Sequence, residues 1–145
     1  MAKKVRIEIA NLQMAHKVNR PLLRKVLSHT MREAGVSGTL SVAVVDSQEI
    51  TELNRRFLGR AEPTDVLSFP MEDETSDDFG EVIVCAEVAG QEAADWGGSF
   101  DAELALYAVH GLLHLLDYDD LTSEQRSRMR EREREILGEF GLEVP

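Results

Sequence analysis

The chain is poor in cysteine, in long apolar runs and in positive charge: it has one Cys, and 16 Lys and Arg against 27 Asp and Glu. Each shortage excludes something. A single thiol, Cys85, rules out an internal disulfide and agrees with a reducing compartment. Within Val82-Ile83-Val84-Cys85 it reads as a small core residue. No segment approaches the roughly 18 apolar residues of a membrane-spanning helix. Met1 to Ala10 alternates Lys, Arg and apolar residues instead of building a signal-peptide core, so a cytoplasmic protein without a leader is expected. No internal repeat or low-complexity tract breaks the chain. With 145 residues and 43% hydrophobic content, a single domain over residues 1–145 without linkers is expected. The net charge of -11 repels polyanions, so a nucleic-acid substrate requires a local basic patch or a bound metal to offset that field.

What is present is a clear alternation of periods. Val5 to Ile9 alternates apolar and charged residues and predicts an edge strand. Asn19 and Pro21 open a helix to about Ala34, stopped by Gly35. Thr39 to Val45 predicts a second strand, which runs into a capping box of Asp46 and Glu49 and a helix from Ser47 to about Leu58 that buries Ile50, Leu53 and Phe57. Thr64 to Phe69, bracketed by Pro63 and Pro70, predicts a short strand. Glu72 to Asp78, five acidic residues in seven, predicts an exposed loop. Gly80 then restarts the chain as a strand from Glu81 to Cys85, followed by a polar helix to about Asp95 and a break at Gly97-Gly98.

Ser99 caps a long helix whose apolar residues, among them Leu104, Leu106, Val109, Leu112 and Leu113, appear on every side, the pattern of a helix buried mid-protein. Thr122 to Gln125 forms another capping box, and a last helix runs to about Phe140. Its arginines at 126, 128, 130, 132 and 134 spread around the axis among Glu131, Glu133 and Glu135, which reads as a solvated ion-pair face and not as a polyanion-binding stripe. The whole predicts an α+β fold, layered like α/β proteins: a mixed four-stranded sheet packed with about five helices, the central one buried and metal-bearing.

That central helix carries His110 and His114, and Asp120 follows it. Imidazoles four residues apart share one helical face, and burying two unpaired imidazoles costs a few kcal/mol that a shared metal removes. A carboxylate six residues on can fold back as a third ligand, leaving an open position where a metal does chemistry. Two imidazoles and one carboxylate suit a single Zn2+ best, although iron, manganese or nickel accept the same set. Asp117 and Asp119 are near enough to compete. The +4 and +10 spacing matches the metzincin pattern H-E-x-x-H-x-x-G-x-x-H and favours Asp120. Two positions depart from that pattern. Gly111 occupies the place of the catalytic glutamate, which disfavours metzincin-type peptide hydrolysis, and Asp117 stands where glycine makes the turn.

The string His110-Gly111-Leu112-Leu113-His114-Leu115-Leu116-Asp117-Tyr118-Asp119-Asp120 resembles the H-G-x-L-H-L-x-G-Y-D-H signature of the YbeY family, the bacterial rRNA maturation factors. Leu53-Asn54 with Pro63-Thr64-Asp65-Val66-Leu67-Ser68-Phe69-Pro70, and Gly80-Glu81-Val82-Ile83-Val84, resemble its other blocks, in the same order. The resemblance implies a zinc-dependent, single-strand-specific endoribonuclease that matures the 3′ end of 16S rRNA and serves ribosome quality control, with single-stranded rRNA and the ribosome as partners. It also marks two departures. Asp120 replaces the family's third histidine, and Leu58 stands where the family carries an arginine, leaving Arg55, Arg56 or Arg60 to reach that space. Two other readings stand beside this one: a zinc-dependent hydrolase of another bond, in the manner of a metzincin peptidase, and a ribosome-assembly binding protein whose metal is structural.

Overall fold

Runs of β-branched residues with polar partners at period two form the strands, and the apolar stripes at helical period form the helices that cover them. The structure, a computed structural model, describes residues 4–71, 73 and 75–145; Met1 to Lys3 at the predicted leaderless N-terminus, and Glu72 and Glu74 of the predicted acidic loop, lie outside the described residues. The elements are β1 (Val5–Asn11), α1 (Arg20–Glu33), β2 (Gly38–Val45), α2 (Ser47–Leu58), β3 (Val66–Pro70), β4 (Asp78–Cys85), α3 (Ala86–Trp96), α4 (Phe100–Leu115) and α5 (Ser123–Glu139). This is an α+β fold with a mixed sheet of order β1-β2-β4-β3. β1 pairs with β2, and β2 with β4, in parallel, while β3 runs antiparallel to β4. The predicted edge position of β1 is observed.

Each face of the sheet has its own core. Ile7, Leu40, Val42, Val44, Val82 and Val84 pack with Leu23, Val26, Leu27 and Met31 of α1 and with the apolar length of α4. Val45, Leu67, Ile83 and the buried Cys85 pack with Ile50 of α2. α4 is central, touching β3, β4, α1, α3 and α5, and its residues from Ala102 to Val109 and from Gly111 to Leu113 are buried. Leu104, Leu112 and Leu113 are each essentially inaccessible, worth about 1.5–3 kcal/mol apiece in removed apolar surface. Ser99 caps this helix by accepting from Ala102 N at 3.1 Å.

Three expectations are corrected. β4 begins at Asp78, inside the predicted acidic loop, because Thr39 N donates to Asp77 O at 2.9 Å and the ladder against β2 continues there. Side-chain charge did not prevent pairing, since the Asp78 carboxylate stays exposed while its backbone bonds. β3 runs from Val66 through Pro70, a proline tolerated at an edge strand that needs no further ladder donor. Phe57 is 57% exposed, resting edge-on against Phe69 with ring centroids 5.2 Å apart. The buried residue on that stretch of α2 is instead Asn54, whose Nδ2 donates to Glu62 O at 2.9 Å and ties the helix to the loop leading into β3.

Candidate metal centre

His110 and His114 lie one turn apart near the C-terminus of α4, and their Nε2 atoms face one another at 3.1 Å. The chain then reverses. Asp117 N donates to His114 O at 3.1 Å and Tyr118 N to Leu113 O at 2.9 Å, the paired bonds of a Schellman cap, with Asp117 in the left-handed region at φ 70°. A residue with positive φ is what the turn requires, and aspartate is one of the few types besides glycine that accepts it. The reversal brings Asp120 Oδ2 to 3.4 Å from His114 Nε2 and 3.8 Å from His110 Nε2. Arg126 Nη1 fastens the loop by donating to Asp120 O and Leu121 O at 3.2 and 3.3 Å.

Three donor atoms at these separations fit one divalent cation. Bonds of roughly 2.0–2.1 Å in tetrahedral array set ligand atoms about 3.3 Å apart, and here the spread is 3.1 to 3.8 Å. Asp117 and Asp119 do not join the convergent set among the described residues. The tautomer is also prepared. His110 Nδ1 lies 2.6 Å from Glu133 Oε2, a carboxylate that is 3% exposed on α5, so Nδ1–H donates to Glu133 and the Nε2 lone pair faces His114 and Asp120. Burial pulls the His110 pKa down. The Glu133 hydrogen bond and the charges of Glu133, Asp65 and Asp120 outweigh it, leaving the group above the ordinary histidine value.

A cavity of about 530 Å³ opens beside the cluster, lined among others by His110, Asp120, Asp65, Tyr107, Trp96 and the guanidinium-bearing Arg126 and Arg130 of α5. Trp96 Nε1 donates to the buried Glu103 at 3.0 Å, which fixes the indole in the wall. Burial first, then the Glu103 carboxylate, push the Tyr107 phenol well above its usual pKa, so it stays protonated and offers an O–H.

The pattern described as Endoribonuclease YbeY matches residues 4–141. Among similar proteins, the Endoribonuclease YbeY of Carboxydothermus hydrogenoformans is 42% identical over 140 residues, covering 94% of this chain and 98% of that one. The Endoribonuclease YbeY of Bacillus velezensis is 36% identical over 83% of this chain and 85% of its own. The chain belongs to the YbeY endoribonuclease family. The solution structure of a Thermotoga maritima protein superposes with a TM-score of 0.65 at 30% identity, over 92% of this chain and 91% of that one.

Two positions singled out in the sequence, Gly111 and Leu58, are explained by their surroundings. Gly111 faces the sheet and not the metal cluster: a Cβ there would lie 2.7 Å from Val82 Cγ1 and 2.9 Å from both Ser68 Oγ and Val66 Cγ2. The glycine is therefore a close-packing device, secured by Ser68 Oγ donating to Gly111 O at 2.9 Å. No glutamate fits that place, so the helix offers no metzincin-type general base there. Leu58 is exposed, Arg55 is held by Glu52 at 2.6 Å, and Arg55, Arg56 and Arg60 do not line the cavity among the described residues. Its basic residues come from α5 instead. The predicted ion-pair face of α5 is present at Arg128–Glu124, Arg132–Glu135 and Arg130–Glu133, at 2.8, 3.1 and 3.6 Å, while Arg126 and Arg130 also line the cavity. Sequence reasoning missed Glu133, Arg126 and Arg130. The only signal for Glu133 was a carboxylate on the same heptad face as Met129 and Ile136.

Proposed function

We propose that this YbeY protein is a zinc-dependent, single-strand-specific endoribonuclease that matures the 3′ end of 16S rRNA and takes part in ribosome quality control, acting in the cytoplasm as one domain on rRNA and the ribosome. The observation that carries the reading is the convergence of His110 Nε2, His114 Nε2 and Asp120 Oδ2 in a member of an endoribonuclease family. Those three residues would hold the Zn2+ ion. When bound, the ion supplies Lewis-acid stabilisation of charge on a phosphoryl oxygen and a lowered pKa for a coordinated water.

The chain's own residues do the rest. Glu133 fixes the His110 tautomer, Arg126 holds the Asp120 loop, and Arg130, exposed at the cavity edge, receives the phosphate backbone in place of the arginine absent at position 58. An anionic third ligand makes this site more negative than a three-histidine one and any coordinated water less acidic. Among the described residues no helix is long and apolar enough to cross a membrane.

The test is incubation of zinc-loaded protein with single-stranded rRNA, duplex RNA and unfolded protein. Cleavage of the single strand alone is expected, falling by about 10²-fold or more in His114→Ala. Arg130→Ala is expected to raise KM for RNA about 10–100-fold with a smaller change in kcat, as loss of a charge-assisted phosphate contact worth roughly 1.5–3 kcal/mol implies. Peptide cleavage, or RNA cleavage indifferent to His114→Ala, overturns the proposal.

A further inference from the structure

The cavity beside the histidine cluster is walled by two helical stripes, and its chemistry changes from one end to the other. Val88, Glu92 and Trp96 recur every four residues on α3, and Glu103, Tyr107 and His110 follow one another by four and three on α4, so each set lines the cavity from one helical face. Both cations of the lining belong to the histidine end: Arg126 Nη1 donates to Asp120 O at 3.2 Å, and Arg130 Nη1 lies 3.6 Å from Glu133, the partner of His110. Seven residues back along α4 from His110, about 10 Å at the helical rise, stands Glu103 with Trp96 beside it. A phosphate is drawn to the first end and repelled by the carboxylates of the second.

Trp96, the sole tryptophan of the chain, is 36% exposed although it is fixed on two sides. Its Nε1 donates to Glu103, and a Cβ placed on Gly98 would lie 2.0 Å from its Cζ2 and 2.4 and 2.5 Å from its Cε2 and Cη2. Those three distances put Gly98 over the plane of the six-membered ring and not at its rim. The missing side chain is what lets the backbone cover that face, and the surface left exposed lines the cavity. A tryptophan needed only for packing is covered on both faces; one held rigid with a face left to a cavity is a stacking platform. The polar groups around it are carboxylates, with Glu92 exposed one turn away on the same helix and Asp65 just ahead of β3. Carboxylates accept and do not donate, so an edge that meets them has to carry N–H donors.

We propose that this end of the cavity is a nucleobase subsite, in which Trp96 stacks on a base of the single strand and Glu92 accepts from the exocyclic amino group of that base. The choice of a base as occupant rests on the ribonuclease reading. An aromatic face with carboxylate acceptors beside it selects cytosine, adenine or guanine over uracil, whose edge presents one N–H between two carbonyls. The same contact disfavours duplex RNA, because a base inside a duplex has both faces stacked and its amino group already paired.

The single tryptophan supplies the probe. Trp96 fluorescence of the full-length protein is titrated with cytidine and with uridine, which share ring size and sugar, carry no phosphate for a metal or the arginines, and differ at the amino group. Both are expected to quench saturably, cytidine with about tenfold higher affinity, the size of a hydrogen bond to a charged acceptor. Glu92→Gln is expected to bring the two affinities within about twofold of each other while quenching persists. Trp96→Ala is expected to raise KM for single-stranded RNA about tenfold or more with zinc affinity unchanged, and Trp96→Phe to recover most of that loss. Emission indifferent to both nucleosides, equal affinities in the wild type, or a Trp96→Ala protein that is folded by circular dichroism and has an unchanged KM overturns the subsite and leaves the ribonuclease reading standing. Cytidine-selective quenching in a protein that cleaves no RNA does the reverse, sinking the ribonuclease reading and keeping the subsite.

Discussion

The two ring nitrogens of His110 have different tasks, and the difference is made by one residue on another helix. Nδ1 donates to Glu133 at 2.6 Å, which leaves Nε2 as the acceptor facing His114 and Asp120. A buried carboxylate that accepts from Nδ1–H orients the ring and raises the basicity of Nε2. Glu133→Gln preserves shape and an acceptor oxygen but loses the charge, and it is expected to weaken zinc affinity about 10–100-fold, read by competition with a chromophoric chelator. Unchanged affinity would show that Glu133 serves only the packing of α5. His110, His114 and Asp120 were legible from spacing, because i,i+4 on a helix is a local relation. Glu133 was not, since its place on the Met129–Ile136 face sets it apart from the exposed Glu131 and Glu135 without saying which residue it meets.

At the scale of the element, α4 is placed by the absence of a side chain. Gly111 lets the helix approach β3 and β4 to within contact of Val66, Ser68 and Val82, and one turn later Gly80 of β4 receives Leu115, whose Cδ1 would stand 2.9 Å from a Cβ there. Gly111→Ala drives a methyl into three neighbours. It is expected to cost about 1–3 kcal/mol in urea unfolding, above the modest gain in helix propensity, and to lower zinc affinity because the adjacent His110 shifts with the helix. A variant as stable as the wild type would mean that the strands relax freely. The glycine was visible in the sequence as a missing glutamate. Its packing role belongs to the sheet, whose β3 and β4 lie more than 25 residues upstream.

For the whole molecule, the proposed metal and the proton would compete for one nitrogen. With the His110 pKa raised in the folded protein, its protonated form contributes stability that is fully present below the unfolded value near 6.5 and lost as pH rises through the raised value. The proposed zinc ion would require the unprotonated Nε2, so its contribution would have the opposite slope. The melting temperature of zinc-loaded protein minus that of chelator-treated protein is therefore expected to grow with pH across the histidine range. A difference independent of pH would show that no imidazole proton is displaced. Charge is also distributed unevenly over the molecule: residues 12–32, which include most of α1, hold five Lys and Arg and no acidic residue. The net charge of -11 is thus not the field an RNA strand meets at every surface.

The sequence by itself determined the elements, their order, the caps at Asn19, Asp46, Ser99 and Thr122, and the pairing of His110 with His114, because all of these follow from periods and hydrogen bonds spanning a few residues. Only the tertiary structure decided which carboxylate stands behind His110, which arginines reach the cavity, and why Phe57 lies in water while Asn54 is buried. Those relations join residues on separate elements. They are set by how helices pack across a sheet, and no local pattern records that distance.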